Sequence, residues 1–161
     1  MMEIKLLIKK YFKYFLVLAG LCLAIWAYIY FVHGYTKYTY YDNGPIQNEI
    51  PYRGGKKHGI EKWYYENGQL ESEIPYENDK IHGVKKSYYE SGELRSMTPF
   101  ANNKIHGTKK IYYENGNVMA EITLENGIPN GFEKWYDKRG NLQAKIKWVN
   151  GTQKQGWIYG K

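Results

Sequence analysis

The sequence contains one cysteine, Cys22, and only 5 prolines among its 161 residues. A single cysteine excludes a disulfide within the chain and any zinc site built from cysteines. The 17% aromatic content, most of it tyrosine, argues against a disordered or collagen-like chain. The sequence also has no nucleophile elbow around its serines and no phosphate-binding glycine loop before a helix. We therefore expect a folded protein that is not an enzyme and that needs no cofactor.

The formal net charge of +7 is unevenly distributed. Residues 1–13 form a basic N-terminus of net charge +3, with four lysines and one glutamate. Residues 34–161 carry 19 basic and 15 acidic residues, a net charge of +4. Because the charge balance beyond the N-terminus is ordinary, nucleic acid is not an expected partner.

Residues 14–32 contain no charged residue. A helix of that length spans about 28 Å, close to the thickness of about 30 Å of the hydrocarbon core of a bilayer. A buried helix of a soluble domain is the alternative, but the segment has no polar face. We therefore predict a transmembrane signal anchor, in which Cys22 is simply a small apolar residue, followed by a linker over residues 33–39.

The lysines before this span outnumber the basic residues just after it, which predicts a cytoplasmic N-terminus and an exported region 34–161. Secretion after cleavage of a signal peptide is the competing interpretation. The apolar run is longer than the 7–15 residues or so of such a peptide and closes with Tyr30, Phe31 and Val32 instead of small residues. An uncleaved anchor is the favoured interpretation.

The rest of the chain, 40–161, repeats with a period of 24 residues. The units are 40–58, 59–82, 83–106, 107–130 and 131–155, with a partial unit 156–161. A fixed period of this length indicates a stacked array in which each unit packs against its neighbours. The positions expected to maintain the stack are Tyr40, Tyr64, Tyr88, Tyr112, Tyr136, Gly44, Gly68, Gly92, Gly116 and Gly140.

The local pattern within each unit is typical of a β-hairpin. The segment 64–68, Tyr-Tyr-Glu-Asn-Gly, places a turn between two strand-forming runs, and glycine supplies the positive φ that the turn requires. After the turn, Leu70, Ser72, Ile74 and Tyr76 share one face of a strand by alternation. We predict an elongated, twisted antiparallel meander of about ten strands, two per unit, preceded by one transmembrane helix.

The unit Gly-x-x-x-x-Tyr-Tyr-Glu-Asn-Gly at this period resembles the MORN repeat, in the variant found in small bacterial antitoxin-like proteins. The resemblance covers residues 40–159. It implies an all-β, elongated and grooved sheet of hairpins that binds other molecules and is not catalytic. It also implies protein scaffolding, membrane association or, for the bacterial variant, an antitoxin or immunity role.

Three histidines, His58, His82 and His106, occupy one position of the repeat and invite a metal-binding interpretation. Equivalent positions of a two-stranded unit lie about 9–10 Å apart in a sheet. A zinc ion needs ligand atoms only about 2.0–2.1 Å away. We therefore expect loop histidines and no metal site.

Two surfaces are candidates for binding. The candidate protein-binding residues are Trp63, Tyr65, Tyr89, Ile111, Tyr113 and Trp135. The candidates for an anionic surface form a column, Lys62, Lys86, Lys110 and Lys134, with Lys85 and Lys109 beside it. Alternatively, the aromatic residues are the core of a thin sheet and the lysines solubilise it. Positions that change between units, such as 63, 87, 111 and 135, are free of the stacking constraint, which favours recognition there.

These observations lead to one main hypothesis about function and two rivals. The main one is a membrane-anchored, non-catalytic binding protein that engages another protein, with an antitoxin or immunity partner implied by the resemblance. The second is a surface-association module whose lysines hold anionic lipid or cell-envelope polymer. The third is a structural spacer without a dedicated ligand.

Overall fold

The computed structural model describes the backbone of residues 2–159 and the side chains of residue 7 and residues 9–159. The end of the expected partial unit 156–161 and the Lys5 side chain of the basic N-terminus lie outside the described residues. A single helix, α1 (Met2–His33), is followed by 14 strands. The strands are β1 (Tyr35–Tyr40), β2 (Ile46–Arg53), β3 (Lys56–Lys57), β4 (Gly59–Tyr64), β5 (Leu70–Glu77), β6 (Lys80–Ile81), β7 (Gly83–Tyr88), β8 (Leu94–Ala101), β9 (Lys104–Ile105), β10 (Gly107–Tyr112), β11 (Val118–Glu125), β12 (Ile128–Tyr136), β13 (Leu142–Val149) and β14 (Thr152–Ile158).

All the strands belong to one antiparallel sheet whose long strands follow the order of the chain, β1-β2-β4-β5-β7-β8-β10-β11-β12-β13-β14. The short strands β3, β6 and β9 each pair with the strand before them. The predicted all-β meander behind one apolar helix is therefore confirmed. At about 4.8 Å between neighbouring strands, the eleven strands in line extend for about 48 Å.

Two features of this sheet differ from the sequence interpretation. The expected linker 33–39 is mostly strand β1, because its tyrosine- and threonine-rich segment pairs with β2 from Tyr35 opposite Tyr52 to Tyr40 opposite Ile46. The described part of the sheet also has 14 strands instead of about ten. The additional strands arise from a second hairpin turn within each unit, which most units build without the Asn-Gly pair that would reveal it in the sequence.

The first turn of each unit is closed by two backbone hydrogen bonds. In the unit 59–82, the Tyr65 amide donates to the Gln69 carbonyl at 2.8 Å and the Gly68 amide donates to the Tyr65 carbonyl at 2.9 Å. Gly68 has a φ of +83°. Glycine adopts this conformation without steric cost, which explains why it recurs at this position.

The second turn has two central residues with positive φ, as in the tight two-residue hairpins that match the twist of a sheet. They are Asn78 (φ 49°) and Asp79 (φ 66°) in one unit, and Asn102 (φ 50°) and Asn103 (φ 68°) in the next. Each turn also bonds to the unit before it. The Lys57 amide donates to Asp79 Oδ1 at 2.8 Å, and the Asp79 amide donates to the Lys57 carbonyl at 3.0 Å.

The sheet is a single layer, and its described residues form almost no conventional core. Ala120 is its one buried hydrophobic residue. The buried polar residues are Asn48, Glu61, Ser72, Ser87 and Thr98. Stability must therefore come from contacts between neighbouring units, as in other repeat arrays.

The helix contains a segment, Lys9–His33, that is long and apolar enough to cross a membrane, and no part of it is buried against the sheet. The Gly54 amide donates to the Phe31 carbonyl at 3.2 Å. Aromatic rings stack across the junction, with centroid distances of 4.4 Å from Tyr30 to Tyr35 and 5.0 Å from Tyr35 to Tyr52. These contacts join the helix to the first two strands.

Candidate functional site

Strand register assigns the side chains to two faces. One row crosses nine of the eleven strands in line, from β2 to β13, through residue pairs that lie directly opposite each other on neighbouring strands. This central row contains Asn48, Trp63, Ser72, Ser87, Ser96, Ile111, Ala120, Trp135 and Ala144. We call the face that contains it the aromatic face. The next residues along the strands, including Lys62, Lys86, Lys110 and Lys134, define the opposite, lysine face.

The sheet brings three of the predicted partner-binding side chains, Trp63, Ile111 and Trp135, into this central row. Trp63 and Ile111 are half-buried, whereas Trp135 is 38% exposed. Six strand spacings separate Trp63 from Trp135, a span of about 29 Å. The row therefore presents large apolar side chains at intervals along a rigid surface.

A glutamate two residues earlier in the chain fixes each tryptophan of the row. The indole N–H of Trp63 donates to Glu61 Oε1 at 2.9 Å, and that of Trp135 donates to Glu133 Oε1 at 2.7 Å. The second oxygen of Glu133 accepts the indole N–H of Trp148 at 2.7 Å. Because their polar ends are bonded within the sheet, these tryptophans are held in defined orientations.

Glu61 is also the carboxylate most deeply placed in the described sheet, with a side chain only 3% exposed. Its Oε2 atom pairs with the Lys57 ammonium at 2.8 Å. Burial alone would lower the pKa of Lys57, but the hydrogen bond and the charge of Glu61 raise this pKa above its ordinary value. Lys57 is therefore held in its charged form, next to the ring of Tyr76 at 4.8 Å.

The other three predicted partner-binding residues join neighbouring units. The hydroxyls of Tyr65, Tyr89 and Tyr113 donate to the carbonyls of the first tyrosine of the next unit, Tyr88, Tyr112 and Tyr136. The donor–acceptor distances are 2.8, 2.6 and 2.9 Å. The hydroxyls of these three tyrosines are thus used between units.

The four lysines predicted to bind an anionic surface all have carboxylate partners. Lys62 lies 3.9 Å from Glu49 and Lys86 lies 3.5 Å from Glu73, each on the neighbouring strand. Met97 stands opposite Lys110, and Lys110 pairs with Glu121 at 3.0 Å. Glu121 also pairs with Lys134 at 3.5 Å. Each lysine of the column therefore has a carboxylate nearby, and Glu121 is shared by two of them.

The shared carboxylate of Glu121 has a perturbed pKa. The hydrogen bond from Lys110 lowers the pKa of Glu121, and the charges of Lys110 and Lys134 lower it further, although partial burial opposes this shift. The same hydrogen bond raises the pKa of Lys110. Both groups therefore stay charged near neutral pH.

The first tyrosines of the units also bond on this face. The Tyr88 hydroxyl donates to Glu73 at 3.0 Å and the Tyr136 hydroxyl donates to Glu121 at 3.3 Å. In the unit between them, the Tyr112 hydroxyl contacts the Met97 sulfur at 3.6 Å. Tyr40 is 60% exposed at the start of the array.

Three further cations, Lys85, Lys109 and Arg95, lie near the centre of the aromatic face. The sequence interpretation placed the two lysines beside the lysine column and gave Arg95 no role. Lys85 and Lys109 stand opposite Thr98 and Ile122, and Arg95 Nε donates to the Ser87 hydroxyl at 3.4 Å. None of the ion pairs in the described part of the chain includes any of these three. The alternation of strand residues could have predicted that Lys85 and Lys109 lie on this face, because neighbouring residues such as Lys85 and Lys86 point to opposite sides of a sheet.

The repeated histidines lie where the second hairpin of each unit returns to the next long strand. The amides of His58, His82 and His106 donate to the carbonyls of Pro51, Pro75 and Pro99 at 3.0–3.1 Å. No group of three or more potential metal-ligating side chains occurs among the residues that the structure describes.

The fold and this surface define an antiparallel array of β-hairpin repeats. One face contains a lysine column paired with carboxylates, and the other contains aromatic side chains with unpaired cations near its centre. Three segments of the chain, residues 57–78, 81–102 and 105–126, match the MORN repeat variant. These matches support the MORN repeat family, which the spacing of tyrosine and glycine suggested. MORN repeats are non-catalytic binding repeats that commonly interact with membranes, lipids or proteins. No curated protein matches the chain.

Proposed function

We propose that the chain is a membrane-anchored, non-catalytic protein that binds another protein through its aromatic face. The observation that carries this proposal is the partly exposed Trp135, whose indole N–H is fixed on Glu133 at 2.7 Å. A large aromatic side chain held rigidly at a surface loses little conformational entropy on binding and is a common interface anchor. Trp63 and Ile111 extend the same row toward the membrane-proximal end of the array.

The pairing of charges favours this function over the binding of anionic lipid by the lysine column. A lysine that is already paired gains less from a phosphate or carboxylate ligand, because the existing ion pair must first be broken. All four members of the column are paired with Glu49, Glu73 or Glu121. The aromatic face has no comparable internal neutralisation at Lys85 and Lys109.

The test uses two variants of one strand with equal exposure. Trp135 and Phe132 are each 38% exposed and lie on opposite faces of β12. A photo-reactive residue in place of Ser87 in the full-length chain should crosslink the partner, and the same residue in place of Lys86 should not. We expect Trp135→Ala to weaken binding of the purified partner by at least about tenfold, and Phe132→Ala to leave it nearly unchanged.

Equal losses for Trp135→Ala and Phe132→Ala would overturn the choice of face. A protein crosslinked only from position 86 would do the same. The absence of a crosslinked protein from both positions would overturn protein binding and favour a spacer. Circular dichroism of both variants provides the control for folding.

We also propose that residues 14–32 are an uncleaved anchor with a cytoplasmic N-terminus and an exported array. The support is the apolar segment Lys9–His33, with lysines at its N-terminal end. In a Cys22→Ala background, a membrane-impermeant maleimide added to intact cells should label Lys37→Cys but not Lys10→Cys. Labelling of Lys10→Cys alone would show the opposite orientation. A mass of the purified chain that is too low for the full N-terminus would indicate a cleaved signal peptide.

The resemblance to antitoxin-like repeat proteins suggests that the partner is a toxin and that this chain confers immunity to it. This role is part of the proposal. It requires that the protein crosslinked from position 87 is toxic when expressed alone and harmless when expressed with this chain.

A further inference from the structure

The middle of the aromatic face contains a cluster of unpaired cations around small polar side chains. We call the set Lys85, Ser87, Arg95, Ser96 and Lys109 the basic notch. Ser87 is 6% exposed, and its hydroxyl lies 2.7 Å from that of Ser96. In the central row these serines, together with Ser72, occupy the space between the large side chains of Trp63 and Ile111.

The notch differs from the units on either side of it at the same repeat positions. Where Lys85 and Lys109 stand in the middle units, Glu61 and Glu133 stand in the flanking units. Glu61 is paired with Lys57, and the Glu133 carboxylate accepts the indole N–H groups of Trp135 and Trp148. Neither glutamate forms an ion pair with a cation of the notch. The face therefore has a cationic centre with a tryptophan at each end.

The spacing of the two lysines restricts the shape of a ligand that contacts both. Strands β7 and β10 are two strand spacings apart, so Lys85 and Lys109 are separated by about 9.6 Å along the array. An extended β-strand places residues on one side at intervals of about 6.7 Å. A polyproline II segment places every third residue on the same side at intervals of about 9.3 Å. The polyproline II spacing matches the repeat.

We propose that the basic notch binds an acidic segment of a partner protein that lies along the array in the polyproline II conformation. Acidic side chains three residues apart would pair with Lys85 and Lys109, and Arg95 would contact a further carboxylate. The ends of the segment would pack on Trp63 and Trp135. Aromatic grooves suit this conformation because its extended backbone is largely pre-ordered before binding. This inference rests on the proposed function and adds the chemistry of the partner.

The probe is a fluorescent peptide of three Glu-Pro-Pro triplets, which spans about 28 Å, close to the distance from Trp63 to Trp135. It is titrated onto the full-length chain in nanodiscs of phosphatidylcholine. We expect saturable binding that weakens with salt, and no binding of the corresponding Gln-Pro-Pro peptide. A peptide of the same composition with its three glutamates adjacent should bind more weakly.

The matched variants differ only in the face on which a lysine lies. Lys85→Gln and Lys109→Gln should each weaken peptide binding about fivefold. Lys86→Gln and Lys110→Gln remove the same charge from the opposite face and should have little effect. Equal losses for the two pairs would mean that only net charge matters and would overturn the proposal.

The other classes of ligand appear as distinct outcomes. If phosphatidylglycerol vesicles, and not the peptide, bind in a manner sensitive to Lys85→Gln, the notch is a lipid site and the proposal is wrong. The same result with a single-stranded oligonucleotide would assign it to nucleic acid. If the partner depends on Trp135 but not on Lys85 or Lys109, this inference fails and the proposed function stands. If the peptide binds as expected but no protein depends on Trp135, the proposed function fails instead.

Discussion

Replacing Gly107 with alanine should lower the free energy of unfolding by about 3 kcal/mol. Gly107 has a φ of +118°, a conformation that residues with a Cβ atom rarely adopt. A Cβ atom at this position would also lie 3.0 Å from the Cγ atom of Pro99 on strand β8. Backbone strain and steric overlap therefore act together. The measurement is the midpoint of urea unfolding of the full-length chain in detergent, with circular dichroism as the probe.

Gly116 in the same unit provides the matched control. It also has a positive φ, +83°, but a Cβ atom there would meet no other atom within 4 Å. Gly116→Ala should therefore cost only about 1 kcal/mol, from backbone strain alone. Pro99→Ala in the Gly107→Ala background should recover part of the lost stability. If Gly107→Ala and Gly116→Ala were equally destabilising, contact with the proline ring would not explain the glycine at this repeat position.

Replacing Glu61 with alanine should lower the free energy of unfolding by about 2–3 kcal/mol. The Glu61 carboxylate accepts the Trp63 indole N–H and pairs with Lys57 while it is almost completely buried. Its removal leaves an ammonium and an indole N–H without their partner. The Lys57 side chain is 28% exposed, so water compensates in part and keeps the loss below that of a fully buried pair.

Two further substitutions separate the causes. Glu61→Gln keeps an acceptor for the Trp63 N–H but removes the charge that pairs with Lys57, so its loss should be smaller than that of Glu61→Ala. Glu66→Ala removes a carboxylate from the exposed first turn of the same unit and should have almost no effect. A loss for Glu61→Ala as small as that for Glu66→Ala would contradict the structural role of this carboxylate.

Much of the fold could be predicted because its signals are local and repeated. The 24-residue period indicates stacking, the Asn-Gly and Ser-Gly turns indicate hairpins, and the uncharged run 14–32 indicates the apolar helix. The second hairpin of these units was not predicted, because its turn residues, Asn78-Asp79 and Asn102-Asn103, adopt positive φ without glycine. Asparagine and aspartate tolerate this conformation, but their sequence signal is weaker than that of Asn-Gly.

The candidate site was less accessible to sequence reasoning. Trp63, Ile111 and Trp135 stood out because their positions vary between units. Tyr65 and its equivalents looked equally suited to recognition, yet their hydroxyls bond to the next unit 23 residues away. Lys86 and Lys85 are chemically identical neighbours in sequence, but only Lys86 has a carboxylate partner in the described structure, Glu73 on the adjacent strand.

The amino-acid sequence by itself determined the apolar helix, the repeat and its hairpins, because turn chemistry and alternation act over a few residues. Tertiary structure alone decided which cations are neutralised, because an ion pair across a sheet depends on register. Lys110 shows this directly. Lys110 lies on β10 between Met97 on β8 and Glu121 on β11, and it pairs with Glu121. The charge pattern of each face therefore emerges only when the strands are aligned.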